Sequence, residues 1–210
     1  MWQGFVEQKY PFKHVYTGIS KTVKRAISIN DIKRVKQLDL TLRPSLAIAR
    51  NLFLFSFYTR GMAFVDMAYL RKKDIQNGVI TYRRHNTGQQ LNIKVEKYSQ
   101  EIIDRYSNPD SDYIFPIIMT KGDEYHQYKN ALRLINSIPK KIGSMIGIPI
   151  KLTTYVGRHS WDSAAKTSNI PISVISESMG HDNETTTQIY LASLDTSVID
   201  QANAKILKKL

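Results

Sequence analysis

A mainly α-helical domain with one small antiparallel β-hairpin, an α+β arrangement, is the fold class that this 210-residue sequence predicts. Three observations lead there. Apolar residues occupy nearly every helical face between Pro44 and Leu70, the pattern of helices surrounded by core. Two short alternating runs flank a turn at Asn86, Thr87 and Gly88, the pattern of a hairpin. Proline and glycine then punctuate the remainder, with Pro139, Pro171 and Gly180 standing at expected helix boundaries.

Taken in order, residues 1–28 are aromatic, basic and aperiodic, with Lys9, Lys13, Lys21, Lys24 and Arg25 against the single acid Glu7. They are expected to form a basic arm or linker. From Ser28, "SINDIKRVKQLDL" offers Asn30 as an N-cap ahead of Ile32, Val35 and Leu38, which predicts a short amphipathic helix at the surface. Pro44 suits a first helical turn, and the apolar stretch that follows predicts two core helices interrupted at Gly61. Ile80 and Tyr82, then Leu91, Ile93 and Val95, alternate across the hairpin. Glu96 to Tyr106 reads as helix, 107–118 as loop, and Tyr125 to Gly147 as a long helical region that Pro139 kinks or divides. A further helix is expected to open near Gly157, another to run from Pro171 to Gly180, and two more segments to cover 183–194 and 196–210.

Lys and Arg outnumber Asp and Glu by 30 to 18, giving a net charge of +12. A magnitude of about 2–8 already keeps a small domain soluble, so the excess favours a polyanionic partner. The chain has no cysteine, which excludes disulfides, thiolate zinc sites and cysteine nucleophiles. No run of about 18 apolar residues exists to span a membrane. The N-terminus carries an acidic residue early and lacks the apolar stretch of a signal peptide. A soluble, cytoplasmic protein is expected. None of His14, His85, His126, His159 or His181 lies three or four residues from another histidine, so no metal site is expected.

Two stretches carry the chemistry. "YVGRHSW", Tyr155 to Trp161, places Arg158 at the head of an apolar segment, and "MGHDNETTTQIY" runs from Met179 to Tyr190. His181 follows Arg158 by 23 residues and Tyr190 follows His181 by nine. With Gly180 ending one helix and Asn183 able to cap the next, Tyr190 falls about two turns along.

In these stretches and their spacing the chain resembles the tyrosine recombinase (phage integrase) family, in its C-terminal catalytic domain. The first stands where the family has His-x-x-Arg-His; the second stands where it has Leu-Gly-His followed by a nucleophilic tyrosine. The likeness covers roughly residues 30–195, and "FYTRGMAFVDMAYL" with "GVITYRRHNTGQQL" is similar to the branch carried by conjugative and other mobile elements of bacteria.

The resemblance implies the tyrosine recombinase catalytic-domain fold over 29–195, and a C-terminal helix over 196–210 that either exchanges with a neighbouring subunit or packs on its own domain. It implies cleavage and rejoining of DNA strands through a 3′-phosphotyrosyl link formed by Tyr190, with Arg158 binding the scissile phosphate and His181 donating a hydrogen bond to it. Planar, bidentate, permanently charged guanidinium forks suit phosphate oxygens. No cofactor, ATP or essential metal is implied. The implied partner is double-stranded DNA, bound by a homotetramer that is weakly associated or monomeric alone, in the bacterial cytoplasm at the nucleoid, with no membrane.

Three positions depart from the family pattern. Its first arginine falls at Ala63, so Arg60, one helical turn earlier, is the substitute if the backbone stays helical across Gly61; otherwise it is a surface arginine or contacts the DNA backbone. The hairpin lysine, general acid for the leaving oxygen, falls at Asn86; Arg83, Arg84, His85 or Lys94 would compensate, His85 having the most suitable pKa, or these side chains contact phosphate only. The first histidine of the second box is Tyr155, a hydrogen-bonding residue but a poorer base. His159 is expected to be a buried strut and Asp66 to orient an arginine. A catalytically degenerate DNA-binding member of the same fold is the alternative, and a type IB topoisomerase a third. Most members also carry a helical core-binding domain that the basic arm of residues 1–28 cannot supply, so a fragment or a shortened member is expected.

Overall fold

The computed structural model describes residues 25–148 and 150–180, which form eight α-helices and a three-stranded antiparallel sheet. Helix α1 (Ile29–Gln37) begins at Ser28, whose backbone is extended (φ −70°, ψ 161°) and whose Oγ accepts from the Asp31 N–H at 3.1 Å. The cap is thus Ser28 and not Asn30, which already lies inside the first turn. One face of α1 buries Ile32 and Val35. Just before it, Ile27 is buried, and its N–H donates to Ser160 Oγ at 3.0 Å. The last residues of the expected arm are therefore tied to the domain, while residues 1–24 lie outside the described residues.

Helix α2 (Pro44–Tyr58) buries Leu52, Phe53, Leu54 and Phe55 in succession, which is why its sequence shows no single apolar stripe. Phe55 meets Phe115 edge to face at 4.9 Å. Helix α3 (Phe64–Ala68) is short but buries Phe64, Met67 and Ala68. A 3₁₀ turn (Lys72–Asp74) leads into β1 (Ile75–Gln76), β2 (Val79–Arg83) and β3 (Gln90–Lys94), ordered β1-β2-β3. Ile80 pairs with Ile93 and Tyr82 with Leu91, so the alternating apolar residues face the core as expected. The sheet exceeds the expected hairpin by β1. Asn77 and Gly78 take left-handed φ values of 51° and 71°, the conformation of a tight two-residue hairpin turn.

Helix α4 (Lys97–Tyr106) precedes the long loop, and Pro139 divides the next region into α5 (Glu124–Ser137) and α6 (Pro139–Met145). Helix α7 (Thr154–Thr167) opens three residues before Gly157, because extended Thr153 (φ −81°, ψ 164°) turns its Oγ1 onto the Val156 N–H at 3.3 Å. Gly157 then allows α7 to close on α2: a Cβ there would stand 3.0 Å from the Phe53 carbonyl oxygen. Helix α8 (Ile172–Met179) follows Pro171 and ends at Gly180. Trp161, half-buried, packs with Ala165, Ile172, Ile175 and Met179 in a small second core between α7 and α8. No helix among the described residues is long and apolar enough to cross a membrane.

Candidate active site

The site begins where α2 stops. The Thr59 N–H bonds the Phe55 carbonyl at 2.9 Å, and the Gly61 N–H reaches back to the Ser56 carbonyl at 2.7 Å across a left-handed Arg60 (φ 58°). This is a Schellman stop, a motif that usually places glycine at the left-handed position. The helical continuation across Gly61 that the sequence reading of Arg60 requires is therefore absent. Arg60 is half-buried and has no hydrogen-bond or ion-pair partner among the described residues.

Gly61 is left-handed too (φ 81°), and a Cβ on it would lie 2.5 Å from Arg158 Cγ. Only glycine lets the turn press on that side chain. Arg158 answers with a bond: Nη1 donates to the Gly61 carbonyl at 2.8 Å, and Nη2 donates to the Met179 carbonyl at 2.9 Å. Two of the five donors of its guanidinium thus join the α2 stop to the end of α8.

The hairpin contributes from the other side. Arg84 is buried, and its Nη1 donates to the Gly180 carbonyl. Next to it, the buried carboxylate of Asp66 accepts from the His85 backbone N–H at 2.9 Å and lies 3.1 Å from His85 Nδ1. Among the described residues Asp66 thus holds a histidine rather than the arginine expected of it. The His85 side chain remains 44% exposed and lies against Tyr69, ring centroids 4.9 Å apart. A cavity of about 270 Å³ opens there, lined in part by Asp66, Tyr69, Tyr82, Arg83, His85 and Gln90. Asn86 is exposed at the hairpin tip.

Strand alternation marks Tyr82 only as inward-facing. Burial raises the pKa of its phenol, the charge of Asp66 raises it further, and the charges of Arg84, Arg158 and Arg60 oppose. The three arginines and Asp66 thus all act electrostatically on one buried hydroxyl. No periodicity reports such a coupling.

On α7, Tyr155 is exposed, and its ring stands edge-on to His159 at 4.3 Å and 89°. His159 is half-buried rather than enclosed. Burial, with the charges of Arg158 and Arg25, pushes its pKa down to about 4, so the ring is neutral near pH 7. One turn beyond Arg158 lies the buried Asp162, which sequence reasoning misses. Its Oδ1 has no hydrogen-bond partner among the described residues, and burial pushes its pKa up to about 6 against the opposing charges of Arg158 and Lys166. His181, Tyr190 and the segment 196–210 lie outside the described residues; the structure carries the chain to Gly180, one residue before His181. No cluster of three or more metal-ligating side chains occurs among the described residues.

Comparison with known proteins gives a consistent picture. The family model described as the phage integrase family matches residues 27–197. Tyrosine recombinase XerA of Pyrococcus furiosus is 26% identical over 177 residues, covering 82% of this chain and 58% of the relative. XerA of Thermococcus kodakarensis is 23% identical over 195 residues, covering 91% of this chain and 67% of the relative. This chain thus spans little more than half the length of the first of these relatives. Among solved structures, the XerA recombinase superposes with a TM-score of 0.61 at 16% identity, over 86% of this chain and 62% of that one. The Tn1549 transposon integrase in complex with transposon right end DNA gives 0.60 at 15% identity, over 95% and 70%. The helical domain with its small sheet is the fold of these recombinases.

Proposed function

The chain belongs to the phage integrase family, and from that premise we propose that it is the catalytic domain of a site-specific DNA recombinase or integrase serving a bacterial mobile element. The observation that carries the reading is the placement of Arg158, whose guanidinium joins the stop of α2 to the end of α8 at the residue before Gly180. A guanidinium so placed is suited to a phosphodiester.

In the proposed reaction the Tyr190 oxygen attacks the scissile phosphorus, the bond to the 5′ oxygen breaks, and a 3′-phosphotyrosyl link remains. Arg158 neutralises charge that builds on the non-bridging oxygens, while Arg60, off the helical continuation that role needs, contacts the DNA backbone; His181 and the Tyr155 hydroxyl donate hydrogen bonds to the phosphate. His85 supplies the proton taken up by the leaving 5′ oxygen. Asp66, its carboxylate 3.1 Å from Nδ1, orients the ring and leaves Nε2 as the nitrogen for the transfer. A 5′ hydroxyl from a partner strand reverses these steps and reseals the DNA. Each link formed conserves the energy of the bond broken, so neither ATP nor a metal enters. His159 supports Tyr155 from the flank. The protein works on double-stranded DNA in the cytoplasm, at the nucleoid, as a tetramer assembled on two sites.

The test is a nicked suicide duplex carrying the element's end sequences. A covalent protein–DNA adduct is expected with the wild-type chain and none with Tyr190→Phe. The exposed Asn86, where the family has its hairpin lysine, favours a second reading: a DNA-binding member without turnover. No adduct on a duplex that the protein binds tightly would select it.

A further inference from the structure

The sequence gives Arg84 the look of a phosphate contact or a proton donor, yet its side chain is turned inward. The residue is 9% exposed, and its Nη1 donates to the carbonyl of Gly180. Gly180 carries the left-handed turn that ends α8 (φ 63°). A Cβ on Gly180 would stand 2.9 Å from Arg84 Cδ, 2.8 Å from Gln89 Oε1 and 3.2 Å from Leu91 Cδ1, so the α8 terminus is pressed directly onto the hairpin. The final carbonyls of a helix have no partner within it. Here one of them, Met179, is taken by Arg158, and the next carbonyl along, Gly180, by Arg84. Gln89 adds a buried side-chain oxygen at the same spot with no hydrogen-bond partner among the described residues, an acceptor ready for a backbone N–H.

We propose that Arg84 is a positioning residue: from the hairpin it fixes the peptide by which the chain leaves α8, and so sets where the residues that begin at His181 are delivered. The hairpin and the entry to the C-terminal segment then move as one body. The consequence for catalysis rests on the recombinase reading above; the positioning itself does not.

Two measurements on the full 210-residue chain test this without requiring strand cleavage. The first is amide hydrogen exchange at residues 181–183 in wild type, Arg84→Met and Arg84→Lys. At least tenfold faster exchange is expected for Arg84→Met, with Arg84→Lys, which keeps a donor, recovering at least half of the loss on a logarithmic scale. Gly180→Ala, which displaces the Arg84 stem from the opposite side, is expected to reproduce the acceleration, so the outcome does not hang on one variant's fold. The second is binding to a generic 30-bp duplex across a salt series. A phosphate contact removed lowers the log–log salt slope by about one; Arg84→Met is expected to leave it unchanged. Unchanged exchange in Arg84→Met, equal acceleration in the Lys and Met variants, or a slope reduced by about one would each overturn the proposal. Where wild type forms the covalent adduct, Arg84→Met is expected to slow its single-turnover formation at least tenfold at unchanged affinity. A chain that forms no adduct but shows the exchange effect refutes the recombinase reading and leaves this one standing.

Discussion

Arg60 occupies a backbone conformation that glycine fills without cost. A left-handed non-glycine residue carries a steric penalty of about 1 kcal/mol, and the Schellman stop of α2 places this one at φ 58°. Arg60→Gly is therefore expected to raise the stability of the free protein by up to about 1 kcal/mol in denaturant unfolding. The same substitution should lower the log–log salt slope of duplex binding by about one, the effect of removing one phosphate contact. A variant at once more stable and weaker in DNA binding identifies the strained arginine as retained for function.

The pH dependence is also a matter of single residues. His159 binds protons less readily folded (about 4) than unfolded (6.5), so its contribution to stability rises with pH through that interval and is lost as pH falls. Asp162 does the opposite: held at about 6 rather than 3.8, it contributes stability at low pH that disappears as pH rises through about 6. The two oppose one another between roughly pH 4 and 6. Relative to wild type, Asp162→Asn should show a melting temperature that climbs more steeply with pH across that window, and His159→Gln one that falls. Parallel curves for all three proteins would refute the account.

Elements with strong patterning are legible in the amino-acid sequence alone: α2 from apolar residues on nearly every face, the β2–β3 hairpin from alternation, α8 from proline before and glycine after. Elements set by a single side chain or a short turn are not. Asn30 reads as the cap of α1, and only the extended backbone at Ser28 shows that the serine takes that place. Two-residue β1 is too short to alternate, although Asn77-Gly78 beside it is a hairpin signal in its own right. At the heart of α2, Phe55 is fully buried against Phe115. Phe55→Ala is expected to cost about 3–5 kcal/mol of unfolding free energy. A loss under about 1 kcal/mol would show that α2 is not the centre of the core.

At the scale of the whole molecule, charge governs. With a net +12, affinity for a generic duplex is expected to fall at least tenfold between about 50 and 200 mM salt. Salt-insensitive binding would contradict a nucleic-acid partner. The same scale explains what stays hidden in the candidate site when only the chain is read. Arg158 stands out by its motif, but Tyr82, Asp162 and the Asp66–His85 pair emerge only when α2, α3, the hairpin, α7 and α8 are brought together. Strand alternation marks Tyr82 as inward-facing without telling which charges await it there.

Ile27 hydrogen-bonds Ser160 two residues after Arg158, and Arg25 lies over the Tyr155 ring at 6.0 Å. Whatever precedes Arg25 is thereby harnessed to the helix that bears the site. A displacement at residues 25–27 therefore bears directly on α7, and the front of this domain works as a rein on the helix that carries Arg158.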